Sequence, residues 1–459
     1  MAARCRITRW PAAGLALTML AGPLVLARAA DAAPVACPAY ADGRSRGAVA
    51  VAGLEEASGL AAGRANAGIL WTHADSGAGA LLYALDAADA GLVATFSLTG
   101  ATNVDWEDIA VGPGPEPGLS YLYVGDTGDR GGRAEDPIVY RVPEPVVDPA
   151  DGPGPQALPG VVALPFTYPD GLHDAETLLA DPITGDLFIV TKNPLFTAGP
   201  SSVYRFPAPH TGADTELEWV AELDFSSAPL LGQLTTGGDI SPSGDEILVR
   251  TYTGASVWRR AAGATVAAAL AGPPCPVPVR SEPQGEAVGY AADGRSYFTV
   301  SEQRDQGPRP LYEFERAPQP DGRVRRGGSG RSVGDNIYNT TGARQTRHGD
   351  GGPGRSVTYF VSAQNDAPFP DRLRLRGAGS TRRFTVRYRN PAGVDITGQV
   401  QAGSYRTPNL APGAIHTIRT EVTVHPTAPR DSSLARTVTI RSSLDRTRRD
   451  AVAFVTHRR

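Results

Sequence analysis

Five stretches of this chain share one pattern, and that repetition narrows the possible folds more than any other feature. Each begins with an acidic residue ahead of a short apolar run, turns, and continues in a second strand-like run that ends in charged or polar residues. The heads are Glu56 in LEEASGL, Glu107 in VDWEDIA, Glu176 in HDAETLL, Asp239 in TGGDISP and Glu286 in QGEAVGY. The second runs are ILWTHADS, YLYVGDTGD, LFIVTKN, ILVRTY and YFTVSE. Successive heads lie 51, 69, 63 and 47 residues apart. Strand-and-turn units at such periods predict the blades of a β-propeller, in which the innermost strand of each blade lines one channel. Five heads predict five blades, and the long second and third repeats leave room for a sixth. Acids at equivalent places would ring one axis, and such a ring repels itself unless protons or a cation neutralise it.

Composition agrees with short strands and turns rather than long helices: the 459 residues include 53 glycines and 40 prolines. Charge divides the chain. Residues 1–317 hold 20 Lys+Arg against 38 Asp+Glu, a balance of −18; residues 318–459 hold 24 against 10, a balance of +14; together they give the net −4. The two parts are different objects. All the basic side chains are Arg except Lys192.

Residues 1–33 read as a signal peptide. Arg4, Arg6 and Arg9 supply a basic start, and Leu15 to Leu26 an apolar stretch too short to span a bilayer, followed by small residues. The mature chain is therefore expected to be secreted, extracellular or periplasmic, with no membrane span. Cys5 leaves with the signal. Cys37 and Cys275 remain, and in an oxidising compartment they are expected to pair.

Residues 34–316 carry the repeats, and AVAVAGL (Ala48 to Leu54) is placed to add the last strand of the last blade. Residues 317–334 are rich in Pro, Gly, Arg and Ser without periodicity and read as a linker. Alternating runs then return over 335–459, among them SVTYFVSAQN, RRFTVRYRN, HTIRTEVTV and ARTVTIRSS. Their number and spacing predict an immunoglobulin-like β-sandwich. Arg on alternate positions of RLRLR and RRFTVRYR makes one sheet face basic, suited to an anionic cell-surface polymer or to the acidic propeller itself. The fold class is thus all-β: a five- (or six-) bladed propeller followed by a sandwich. The chain is expected to be a monomer, and no nucleic-acid partner is indicated. Trp71, Trp106, Trp219 and Trp258 are expected to pack between blades.

The candidate chemistry lies at the channel. Glu56, Glu107, Glu176, Asp239 and Glu286 offer the carboxylate oxygens that a hard cation such as Ca2+ requires. The second runs bring His73 and Asp75, Asp126, Lys192, Arg250 and Glu302 towards the same mouth if the two strands pair as hairpins. Lys192, Arg250, Asp75 and Asp126 are candidates for holding a small anionic substrate. Glu107, Glu302 and His73 are candidates for proton transfer to and from water. A cation beside Lys and Arg would grip a phosphate or carboxylate. The competing reading is a ring neutralised by its own basic neighbours.

HDAETLLADPITGDLFIVTK and EPQGEAVGYAADGRSYFTVSE resemble secreted bacterial propellers of the phytase-like and esterase-like kind, and are similar in pattern to the calcium-dependent gluconolactonase and paraoxonase propellers. The resemblance covers roughly 48–316. It implies a channel calcium held by Glu56, Glu107, Glu176, Asp239 and Glu286, and phosphate binding by Lys192 and Arg250. The dense paired-Asp clusters of true phytases are missing. The expectation is an exported calcium-dependent hydrolase of phosphoester or ester/lactone substrates. The alternative is a non-enzymatic binding protein with a structural cation.

Overall fold

The computed structural model describes residues 36–129, 137–194, 197, 199–302 and 309–459. The expected signal peptide lies outside them. Among the described residues the protein is all-β, with seven sheets and only short helical turns. Five sheets arise from the repeat region. Their first two strands are, in order, Ala57–Ala62 with Ile69–Ala74, Trp106–Pro113 with Ser120–Asp126, Ala175–Ala180 with Leu187–Thr191, Thr235–Ile240 with Glu246–Thr251, and Gln284–Tyr290 with Ser296–Glu302. Each pair is antiparallel, and further strands extend each sheet outwards.

These first strands are small and apolar because both faces are covered. Ala57–Ala62, Ala175–Ala180 and Thr235–Ile240 are buried at every position. Each lies beside the first strand of the next sheet, and that of the fifth lies beside that of the first. Glycine permits the approach. A Cβ at Gly289 would sit 2.3 Å from the Leu60 carbonyl oxygen, so a side chain there would push the fifth sheet off the first. Separate apolar cores fill the spaces between successive sheets. One, built around Leu60, Tyr83, Phe298 and Leu311, joins the fifth sheet to the first. Trp71, Trp106 and Trp258 are buried in these cores, whereas Trp219 is 52% exposed on an outer strand.

The N-terminal segment completes the fifth sheet: Arg44–Val49 pairs antiparallel with Arg309–Glu315. This strand begins four residues before the apolar run marked out by the sequence, and its register shifts between Ser45 and Gly47. The Cys37–Cys275 disulfide forms, with Cα atoms 5.3 Å apart, and ties this segment to the outer strand of the fourth sheet. Among the described residues no helix is long and apolar enough to cross a membrane.

The expected linker at 317–334 is a correction. Pro320–Arg326 is a strand, paired along its length with Ser356–Asn365. Its Arg-rich alternation hid the pattern, because only Val324 adds an apolar side chain to the core. This strand joins Ile415–Val424 and Phe384–Arg389 in one sheet. The other sheet runs Thr346–Gly351, Arg449–Arg458, Ser433–Ser442, Leu373–Gly377, Tyr405–Arg406. One apolar cluster, including Tyr359, Val361, Leu375, Ile418, Val438 and Phe454, takes residues from both sheets.

Candidate functional site

Each first strand carries a β-bulge near its start. Pairing jumps from Ala57 to Leu60, Trp106 to Asp108, Ala175 to Thr177, Thr235 to Gly237 and Gly285 to Ala287. The residues passed over are Ser58 with Gly59, then Glu107, Glu176, Thr236 and Glu286. A bulge re-aims the side chain it carries. Here it places Ser58, Glu107, Glu176, Thr236 and Glu286 at equivalent positions.

Two residues earlier stand Glu56, Asp105, Asp174, Leu234 and Gln284. Each faces the end of its second strand through a backbone bond: Asp75 N–H to Glu56 O at 2.8 Å, Thr127 to Asp105 at 3.2 Å, Lys192 to Asp174 at 2.9 Å, and Tyr252 to Leu234 at 3.3 Å. Gln284 pairs with Glu302 in the ladder. The mouth is thus built from three repeated positions in five sheets. They hold Glu56, Asp75, Asp105, Glu107, Asp174, Glu176, Glu286 and Glu302 against Lys192. Among the described residues at these positions, eight carboxylates and one ammonium sum to a formal −7 if all ionise.

Three sets of these acids can each bring carboxylate oxygens within 4.8 Å of one another: Glu56, Asp75 and Glu302; Asp75, Asp105 and Glu107; Glu107, Asp174 and Glu176. Asp75 and Glu107 are shared, so the sets form one chain of acids. Lys192 donates to Glu176 and, at 2.8 Å, to Tyr252 Oη. Gln284 donates to Glu286 at 2.9 Å and also to Glu302.

Burial and crowding govern the electrostatics. Burial first, then Glu176, Asp75, Asp105 and Asp174, drives Glu107 well above the carboxylate range. Glu286 rises likewise, through burial and then Glu176, although Lys192 opposes the rise. Glu176 is pushed up to about 8 by burial, against the pull of Lys192. Burial disfavours charge on Lys192, yet Glu176, Tyr252 and Glu286 outweigh it and raise the ammonium. Lys192 is held charged by the acceptors around it; the rise at Glu176 comes from burial and neighbouring acids, not from that contact.

Four of the expected residues sit elsewhere. Asp239 lies three residues beyond Thr236, deeper in its strand, where it accepts the Tyr290 N–H at 2.8 Å. Burial lifts it to about 6. Asp126 is one residue short of the mouth position held by Thr127, and the two-residue period of a strand turns it aside. It accepts from Asp105 N–H at 2.7 Å and so orders the loop before Trp106. Arg250 and His73 occupy equivalent places two residues inward of Tyr252 and Asp75. The Arg250 side chain is 1% exposed, ion-paired with Glu282, and donates to the Ala287 carbonyl at 2.9 Å. His73 is fully buried, edge-on to Trp106 with centroids 5.7 Å apart, and its Nδ1 lies 3.0 Å from the Ala74 carbonyl. Burial lowers it to about 4. Neither reaches the mouth. Glu56, Glu107, Glu176, Glu286, Asp75, Lys192 and Glu302 are brought together.

Sequence reasoning passed over Asp105, Asp174, Tyr252, Gln284 and Asp108. The first two were visible as Asp-x-Glu in DWE and DAE, the pattern that Gln284 completes as QGE. Asp108 is of another kind. Its carboxyl accepts from Ile109 N–H at 2.8 Å, Leu178 N–H at 2.9 Å and Gly238 N–H at 3.1 Å, linking three first strands below the mouth.

No protein-family model matches the chain, and no curated protein sequence matches it. Among solved structures, one similar chain is described as an oxidoreductase (glucose dehydrogenase) from Thermus thermophilus. It is 12% identical, with a TM-score of 0.30, over 60% of this chain and all of that one. A likeness of that size has no bearing on what this protein does.

Proposed function

We propose that residues 36–316 form a five-bladed propeller, with residues 320–458 as an immunoglobulin-like sandwich. The acid-lined mouth of the propeller binds a divalent cation, with Ca2+ the expected ion. One observation carries this reading: three sets of carboxylates, linked through Asp75 and Glu107, converge where the five first strands begin. Ca2+ takes six to eight oxygens in flexible geometry, and this mouth supplies carboxylates from four of the five sheets. Without a cation, the described acids of the mouth crowd together in a largely buried setting around Lys192, an arrangement that burial and like charge both oppose.

For the chemistry we propose an exported calcium-dependent hydrolase of phosphoester or ester/lactone substrates. The disulfide and the basic-then-apolar N-terminus support export. A bound cation would polarise the substrate oxygen. Glu302, or Glu107, would take the proton from attacking water, and Lys192 would meet the anion. Arg250 has no part in it, being locked on Glu282.

That last point favours a second reading, a binding protein whose cation is structural. Lys192 is already engaged by Glu176 and Tyr252, so among the described residues no basic group at the mouth is left without a protein partner. Thermal melts with EDTA and with calcium, followed by metal analysis and turnover of phosphoester and lactone substrates, separate the readings. A calcium-dependent rise with turnover lost in Lys192→Ala supports the hydrolase. A rise with no turnover leaves the structural cation. No rise and no bound metal refute both.

A further inference from the structure

The second sheet of the C-terminal region carries arginine where a sheet tolerates it least. Arg374 lies directly opposite Arg406 on one neighbouring strand and Arg441 on the other, and Arg441 lies opposite Arg449. Four arginines therefore stand in one row across four adjacent strands. With strands about 4.8 Å apart the row spans about 14 Å. Like charges directly opposite are destabilising. Arg376, two residues along from Arg374, and Arg446, from the turn between Ser433–Ser442 and Arg449–Arg458, complete the group.

Five of these six, Arg374, Arg376, Arg441, Arg446 and Arg449, line a cavity of about 290 Å³ closed at one side by Ala402 and Gly403. Among the described residues no acidic side chain lines it. Among the described residues no carboxylate forms an ion pair with any of the six arginines. The Arg374 Nε is buried without a hydrogen-bond partner. The alternation that buries Leu373 and Leu375 in the core puts these guanidiniums on the other face, so packing does not require them.

We propose that this row is a binding site for an anion carrying several linked phosphate groups. Arginine's planar fork matches phosphate and carboxylate oxygens in pairs, and lysine, which the region lacks altogether, does not. Five guanidiniums on so small a cavity call for several charges close together. Linked phosphates supply a charge at every unit, whereas a uronic polymer spaces one carboxylate per sugar ring. The row lies on the basic part of the chain, and the site is independent of what the propeller mouth does.

The test is titration calorimetry of the full mature chain, dialysed free of metal, with inorganic tripolyphosphate, orthophosphate and an oligogalacturonate as probes. Tripolyphosphate is expected to bind, with an affinity that falls steeply between low and moderate salt. The Arg374→Gln/Arg441→Gln variant is expected to lose about tenfold or more. Its melting temperature should hold or rise, because repulsion is relieved; should it fail to fold, Arg449→Gln alone is expected to weaken binding in the same direction. Arg382→Gln/Arg383→Gln, exposed arginines beside the other sheet, should leave binding unchanged. Absence of tripolyphosphate binding overturns the proposal. So does an equal loss in the Arg382/Arg383 variant, which would mean diffuse positive charge. Equal affinity for orthophosphate, or tighter binding of oligogalacturonate, refutes the linked-phosphate assignment.

Discussion

Glu107 belongs to two of the three carboxylate sets at the mouth, so Glu107→Gln is the most informative single change there. Two ionised carboxylates about 4.8 Å apart repel by about 3.5 kcal/mol at an effective dielectric of about 20. Burial and neighbouring acids already drive Glu107 upward, so a bound proton relieves part of that cost. Replacing the acid with an amide should therefore stabilise the metal-free protein by about 1–2 kcal/mol. At about 2–4 °C per kcal/mol for a domain of this size, the melting temperature in EDTA should rise by several degrees. Calcium should have the opposite consequence. In the parent protein, calcium at a hundred times its Kd adds about 2.7 kcal/mol. If Glu107→Gln weakens binding about a hundredfold, that gain falls to about 0.4 kcal/mol at the same calcium. The assay is a pair of thermal melts, with EDTA and with calcium, on parent and variant. A variant that melts lower in EDTA yet keeps the full calcium shift would refute the reasoning. Glu107 would then be a structural acceptor rather than a ligand.

Burial raises Asp239 to about 6 and Glu176 to about 8, above their values in the unfolded chain, so the folded protein holds protons that the unfolded chain has released. The metal-free melting temperature should accordingly fall as pH rises from about 5 to 8, and calcium should flatten the decline; a rise over that window in EDTA would contradict the shifts. Asp108→Ala removes the acceptor for Leu178 and Gly238 amides and should cost about 2–5 kcal/mol in denaturant melts, with calcium binding retained once folded. Arg250→Ala leaves Glu282 buried and unpaired and should cost about 3–5 kcal/mol. A variant that is fully stable but inactive would restore Arg250 to the site. Removing the disulfide by Cys37→Ser/Cys275→Ser reopens a loop spanning 238 residues of sequence separation, worth about 5 kcal/mol in the chain-entropy model. An unchanged denaturation midpoint would show that the N-terminal strand holds without it.

The repeated heads gave the sheets away because a strand start buried on both faces tolerates few residue types, and an acid among alanines and glycines stands out. Exact equivalence was not legible, since a bulge changes register by one residue without changing composition. Glu56 and Glu107 look alike in sequence, yet Glu56 matches Asp105, and it is Ser58 that matches Glu107. The same local shift separates Asp126, which orders a loop, from Thr127, which faces the mouth. Depth along a strand is equally silent: Arg250 and His73 share side and spacing with residues at the mouth, and only the packing of the neighbouring sheet against them decides that they are enclosed. The linker at 317–334 failed for a different reason. Pro320–Arg326 is mostly charged, even burying Asp321, and gives the core little beyond Val324, so its alternation carries almost no apolar signal. Charge, by contrast, survived translation from sequence to structure at both ends of the chain. Acids at the strand starts of four of the five sheets converge at the mouth because the sheets converge there. Arginines that alternate along single strands align into a row because antiparallel registry sets them opposite one another. In both places the fold concentrates like charge that an unfolded chain would keep apart, and the cost of doing so is the physical reason to look for a counterion of opposite sign at each.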